Sequence, residues 1–186
     1  MPIQQIIHFF VTYKYLAIFP IAVVEGPIIT IISGFLVSIG LLDLLPALIT
    51  VYFADIVSDL IYHHTGKWGR DVIQYLKFFR VSDEKFVEIE NRFKLSPWRT
   101  MIIAKISYGL GTVFMIASGA SRMSVKKFIK YIFSLNLIRS SFLLFIGYYF
   151  GKIAVSLGPS YIKYYSIVVI ILVPSVYMIL RKKKTP

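Results

Sequence analysis

Five ionisable side chains stand inside otherwise apolar stretches: Glu25, Asp55, Asp59, Lys105 and Arg139. A charge within an apolar helix is costly, so such a group faces either a partner or a wet cavity. Glu25 lies in "AVVEGPIITIISGFL", directly before Gly26 and Pro27. Proline starts a helix well, and a helix N-terminus attracts anions. Glu25 therefore reads as part of a polar site, or as a solvated cap at the mouth of a hairpin. Asp55 and Asp59 are four residues apart and share a helix face. Two like charges there repel unless one is protonated or a cation is near. That pattern reads as a proton or cation site, with Asp55 the stronger candidate. In the alternative, Asp59 simply reaches interfacial water at a helix end. Lys105 and Arg139 suit a lipid phosphate, which Arg can hold bidentately. They could equally neutralise Glu25 and Asp55 as an ion pair between the two halves of the chain. Glu25, Asp55, Lys105 and Arg139 are expected to converge around one polar site between the hairpins.

Other chemistries find no support. The chain has no cysteine, so disulfides, thiolate metal sites and Cys nucleophiles are excluded. His63 and His64 are adjacent and point apart on a helix, so no metal is expected. Ser118 in "ASGAS" lacks the G-x-S-x-G order of a nucleophile elbow. "GLG" at Gly109–Gly111 lies in an apolar run and is no dinucleotide fingerprint. No enzyme activity, metal or cofactor is expected.

The elements that must carry these charges read as helices in a bilayer. Of 186 residues 57% are hydrophobic, and the mean hydropathy is +0.72, which suits a membrane domain better than a soluble one. Net charge is +12, with the bases clustered beside apolar spans. Clustered bases favour anionic headgroups over nucleic acid. Arg122, Lys126 and Lys127 are the expected headgroup contacts, and nucleic-acid binding is not expected.

The chain reads as one all-α membrane domain, residues 1–186, in two inverted-topology repeats. Residues 1–19 form an N-terminal helix with Lys14 snorkelling, 20–66 a first repeat and 67–99 an amphipathic cytoplasmic connector. Residues 100–152 form a second repeat, 160–180 a C-terminal transmembrane helix and 181–186 a basic tail. Each repeat is a re-entrant hairpin followed by a span. The breakers Pro20, Gly26, Pro27, Gly34 and Gly40 interrupt the first hairpin, and Gly109, Gly111 and Gly119 the second. Irregular backbone survives at membrane depth only where protein or a wet cavity surrounds it. Ser33-Gly34 and Ser118-Gly119 mark the repeat at an offset of 85, as do Gly66-Lys67 and Gly151-Lys152. "GKIAVSLGPS" reads as a turn. In the connector, Val72, Tyr75, Leu76 and Phe79 share a face, as do Phe86, Ile89 and Phe93, which suits helices on the membrane surface. Ser82 is an N-cap candidate with Lys85 three residues on. Sixteen of the 21 bases lie in 67–99, 122–130 and the tail, so the positive-inside rule places these on the cytoplasmic side. The two hairpins then enter from opposite faces.

The second half resembles the DedA family, also called the VTT or SNARE-associated Golgi protein family. "SGASRM" (Ser118–Met123), Phe128, Asn136 and "GYYFG" (Gly147–Gly151) match its pattern. In the first half "FP…EGPIITIISGFLVSIG" and "DLIYHHTGKWG" resemble its acidic-proline and "GD---Y--G---G" elements. The likeness covers roughly Phe19 to Gly151. Lys105 stands at the first family arginine and Gly111 at the second. The resemblance implies opposed re-entrant hairpins and movement of phospholipid or polyprenyl-phosphate headgroups between leaflets, as a flippase or scramblase. It implies lipids, and in some members protons, as partners, a prokaryotic cell membrane as the setting, and room for oligomers. A coupled small-solute transporter or a non-transporting assembly factor are the alternatives.

Overall fold

The computed structural model describes residues 3–68, 81–107 and 110–156, and the backbone alone for 3–12. The expected face of Val72, Tyr75, Leu76 and Phe79, the hairpin glycine Gly109, the C-terminal span and the basic tail lie outside the described residues. The described residues are all helical, with no strand. They form α1 (Ile3–Val24), α2 (Gly26–Ser38), α3 (Leu44–Lys67), α4 (Asp83–Leu95), α5 (Pro97–Ile106), α6 (Gly111–Ala120) and α7 (Val125–Ser156). Two helices, α3 with 24 residues and α7 with 32, are long and apolar enough to cross a membrane.

The helices form two compact units. The first holds α1, α2, the start of α3 and the end of α7. Its core is Leu42, Ala47, Val51 and Leu144, with Tyr15, Ile18, Leu36, Val37 and Leu48 packed against it. The second holds the rest of α3, then α4, α5, α6 and the start of α7. Phe86, Phe93, Met101, Phe114, Phe128 and Ile132 lead its larger core.

Three local features differ from what the sequence predicts. Pro20 does not break the first segment but lies inside α1, whose non-helical residue is Tyr13 (φ −103°, ψ 16°). A proline costs its helix one N–H donor and crowds one carbonyl, yet α1 runs through Pro20 to Val24. The reversal comes at Glu25, where Gly26-Pro27 opens α2. Lys14 Nζ donates to the Leu41 carbonyl at 2.9 Å and lies 3.6 Å from the exposed Asp43. Tyr15 Oη donates to Asp43 at 2.9 Å, so the middle of α1 is tied to the α2–α3 loop. "GKIAVS" is not a turn, because α7 continues to Ser156. Gly151 serves close packing there, against Ser38. Finally, α4 does not lay its apolar face on a membrane. Phe86 and Phe93 are buried in the second unit, and Phe93 meets Phe114 edge-on at 6.3 Å. The expected cap is present, with Ser82 Oγ accepting from the Lys85 amide.

Within each unit a short helix lies against a long one through reciprocal glycines. In the first, Gly34 abuts the Leu144 carbonyl and Gly147 abuts that of Ile31. In the second, Gly119 abuts the His63 carbonyl and Gly66 abuts that of Ile116. A Cβ at any of the four would overlap backbone, so glycine is required by approach, not by φ. Such contact lets helix backbones come close enough for Cα–H···O interactions. The short helices correspond at an offset of 85, Ile31 to Ile116 and Gly34 to Gly119. The long helices correspond at 81, His63 to Leu144 and Gly66 to Gly147, one helical turn less than the Gly-Lys spacing suggests.

Candidate functional site

The charges fall into one group per unit. In the second, Asp59 is 7% exposed although it lies in an apolar helix. Its Oδ2 accepts from Lys105 Nζ at 2.5 Å and from Asn136 Nδ2 at 2.7 Å. Lys105 comes from the last turn of α5, Asp59 from α3 and Asn136 from α7. A buried acid is thus matched by one base and one amide, as buried charge requires. Asn136 Oδ1 is buried with no partner among the described residues. One turn along α3 from Asp59, the fully buried His63 places Nδ1 2.8 Å from Ser118 Oγ. Its ring stacks on Phe128 with centroids 4.1 Å apart.

In the first unit, Asp55 is 5% exposed and its Oδ2 accepts from Ser140 Oγ at 2.9 Å. Its Oδ1 lies against Gly26, at the N-terminus of α2. A helix N-terminus carries partial positive charge, so this places the carboxylate where it is favoured. Glu25, one residue before, is exposed and makes no side-chain cap. Ser33 Oγ, the counterpart of Ser118 Oγ, is buried with no partner among the described residues. The reason is visible at the position matching His63, which is Leu144.

The expected site residues therefore sort as follows. Asp59, not Glu25 or Asp55, takes Lys105, and Asp59 is buried instead of reaching water. Gly26 and Asp55 meet, with Pro27 beside them in the first turn of α2. Arg139 is half-buried on α7 beside Ser140. Arg122, Lys126 and Lys127 are exposed around the start of α7, and Arg122 takes a left-handed φ of 58° in the turn that leads into it. Gly34 and Gly119 pack against backbone, whereas a Cβ at Gly111 would meet nothing nearer than the Ala104 carbonyl at 3.6 Å. Among the described residues no cluster of His, Asp and Glu could hold a metal ion.

Asn136 stands out in the sequence only as part of the family pattern, and Ser140 not at all; neither is marked there as a partner of Asp59 or Asp55. They stand four apart in an apolar helix, as Asp55 and Asp59 do, and at 81 residues from them. That spacing was the available signal, obscured by the more visible offset of 85. His63 was weighed only as a metal ligand, and its place beside Ser118 depends on tertiary packing. No protein-family model matches the chain, and no curated protein or solved structure matches it.

Proposed function

We propose that the chain is an integral membrane protein of the DedA kind, which moves phosphate-bearing lipid headgroups between leaflets. The observation that carries this reading is the exposed Glu25 at the apex of an apolar helical hairpin. The mouth of that hairpin is where Lys14 and Tyr15 meet Leu41 and Asp43. From there Tyr13–Val24 and Gly26–Ser38 are apolar helices of 12 and 13 residues. They reach roughly 18–20 Å, short of the roughly 30 Å hydrocarbon core of a bilayer. The hairpin is thus re-entrant, and its apex holds a carboxylate at a depth where charge needs water or a polar ligand. The α5–α6 pair is a second re-entrant hairpin, with Lys105 near its apex.

Embedding is supported by the outer faces of the long helices. Phe133, Leu137, Phe142, Phe145 and Tyr149 of α7, with Leu45, Ile49, Phe53 and Ile61 of α3, are exposed. An apolar surface of that extent suits lipid tails. By the positive-inside rule, Arg122, Lys126 and Lys127 are cytoplasmic and meet anionic headgroups. The lipid headgroup passes the Glu25 apex, while its acyl chains stay in the bilayer.

The test is lipid exchange in reconstituted vesicles, using tail-labelled lipids of different headgroup and a membrane-impermeant quencher. Wild-type protein is expected to expose inner-leaflet phospholipid to the quencher. Glu25→Gln, at equal folded-protein density, should slow this roughly tenfold, because the amide keeps the shape of the carboxylate but not its charge. Inner-leaflet lipid as protected as in protein-free vesicles would refute the proposal. Uptake of a soluble solute with no lipid movement would replace it by solute transport.

A further inference from the structure

The two units share one packing plan but are pinned unequally. In the second, the hairpin α5–α6 is tied by polar contacts at two levels. Lys105 bonds Asp59 near the apex, and Asp59 is also held by Asn136. Higher on α6, Ser118 bonds His63, which is clamped by Phe128. Both levels are buried, so breaking either leaves an unsatisfied group in an apolar setting.

The hairpin of the first unit differs at each level. Leu144 stands where His63 does, and Ser33 Oγ has no partner among the described residues. Thr30 and Ser38 bond only carbonyls of their own helix, those of Gly26 and Phe35. Among the described residues, then, no side chain of α2 forms a hydrogen bond or ion pair outside α2. At the apex, Glu25 is exposed, and the contact is that of the Gly26 backbone with Asp55. What remains along α2 is apolar packing by Ile28, Phe35, Leu36 and Val37, and glycine contact through Gly34, Gly147 and Gly151. The strong ties of this hairpin lie at its mouth, among Lys14, Tyr15, Leu41 and Asp43. A helix pair tied at its mouth by side chains, and at its apex by the Asp55 carboxylate against the Gly26 backbone, has fewer polar contacts to lose in a swing than α5–α6.

We infer that the first hairpin is the moving element, a gate hinged at its Lys14–Asp43 mouth, and that α5–α6 is its fixed counterpart. The swing carries Glu25, at the free end, through the largest displacement. The hydroxyl of Ser33 has no bond to lose in the motion. That this gate admits lipid rests on the proposed function, but the motion itself does not.

Amide hydrogen exchange of the reconstituted full chain, read by mass spectrometry, tests it. In the wild type, α2 should exchange at least about tenfold faster than α6, since exchange reports local opening. The reciprocal replacements supply the second measurement. Leu144→His sets an imidazole opposite Ser33 and should slow exchange in α2 alone. His63→Leu strips the lock from Ser118 and should speed exchange in α6 towards the rate of α2. Wild-type α2 as protected as α6 would overturn the inference, whatever the variants do. So would a folded Leu144→His protein with unchanged exchange in α2. Unequal exchange without lipid movement would leave the gate standing and remove the proposed function.

Discussion

Replacing Lys105 by Met is expected to destabilise the protein by roughly 3–5 kcal/mol, the range for removing one partner of a buried ion pair. The Asp59 side chain is one-tenth exposed, and the Lys105 ammonium is its nearest countercharge. Without that base, Asn136 alone must hold the carboxylate, and an amide cannot neutralise it. Lys105→Met with Asp59→Asn should recover most of the loss, because the charge left behind is then gone. The comparison needs thermal unfolding of wild type, both single variants and the double variant in one detergent. A strong coupling between the two positions is expected. If Lys105→Met unfolds with the wild type, the pair is solvated and the second unit is not pinned as described.

The second large effect is steric. Gly119→Ala places a methyl group on the carbonyl of His63, and Gly34→Ala does the same on that of Leu144. Backbone cannot step aside as a side chain can, so each long helix must back away from its short partner. A loss of roughly 1–3 kcal/mol or more is expected for either. Gly111→Ala is the control, since its new Cβ finds ordinary contact distance. That change should be neutral, or stabilising by roughly 0.5–1 kcal/mol through helix propensity. Equal unfolding temperatures for Gly111→Ala and Gly119→Ala would contradict the close approach of α3 and α6.

Much of this was legible in the sequence, for reasons tied to particular residues. The runs that become α3 and α7 are long and apolar, which few other elements can be. The reversal at Glu25 follows from Gly26-Pro27, which opens a helix, and the start of α4 from Ser82. Pro20 misled because a proline can lie inside a helix at the loss of one hydrogen bond, and local sequence does not show whether the surrounding packing holds the helix together. Gly151 misled because a glycine read as a turn can instead be a point of close packing. The choice of Asp59 over Glu25 or Asp55 as partner of Lys105 was not legible. It depends on which turn of α3 faces the last turn of α5, a matter of helix register that spacing along one chain cannot reveal.

The central claim is that a polar, water-reached site lies at membrane depth at the apex of the first hairpin. The chain has no cysteine of its own, so single cysteines report cleanly. The most direct measurement is labelling of Glu25→Cys by a membrane-impermeant maleimide in vesicles of known orientation. Leu41→Cys marks the mouth, and Ile21→Cys marks an exposed position one turn from the apex. The predicted result is that positions 25 and 41 label from the same, extracytoplasmic side, while position 21, bathed in lipid, does not. Labelling of position 25 only from the cytoplasmic side would make α1 a full span and contradict the account.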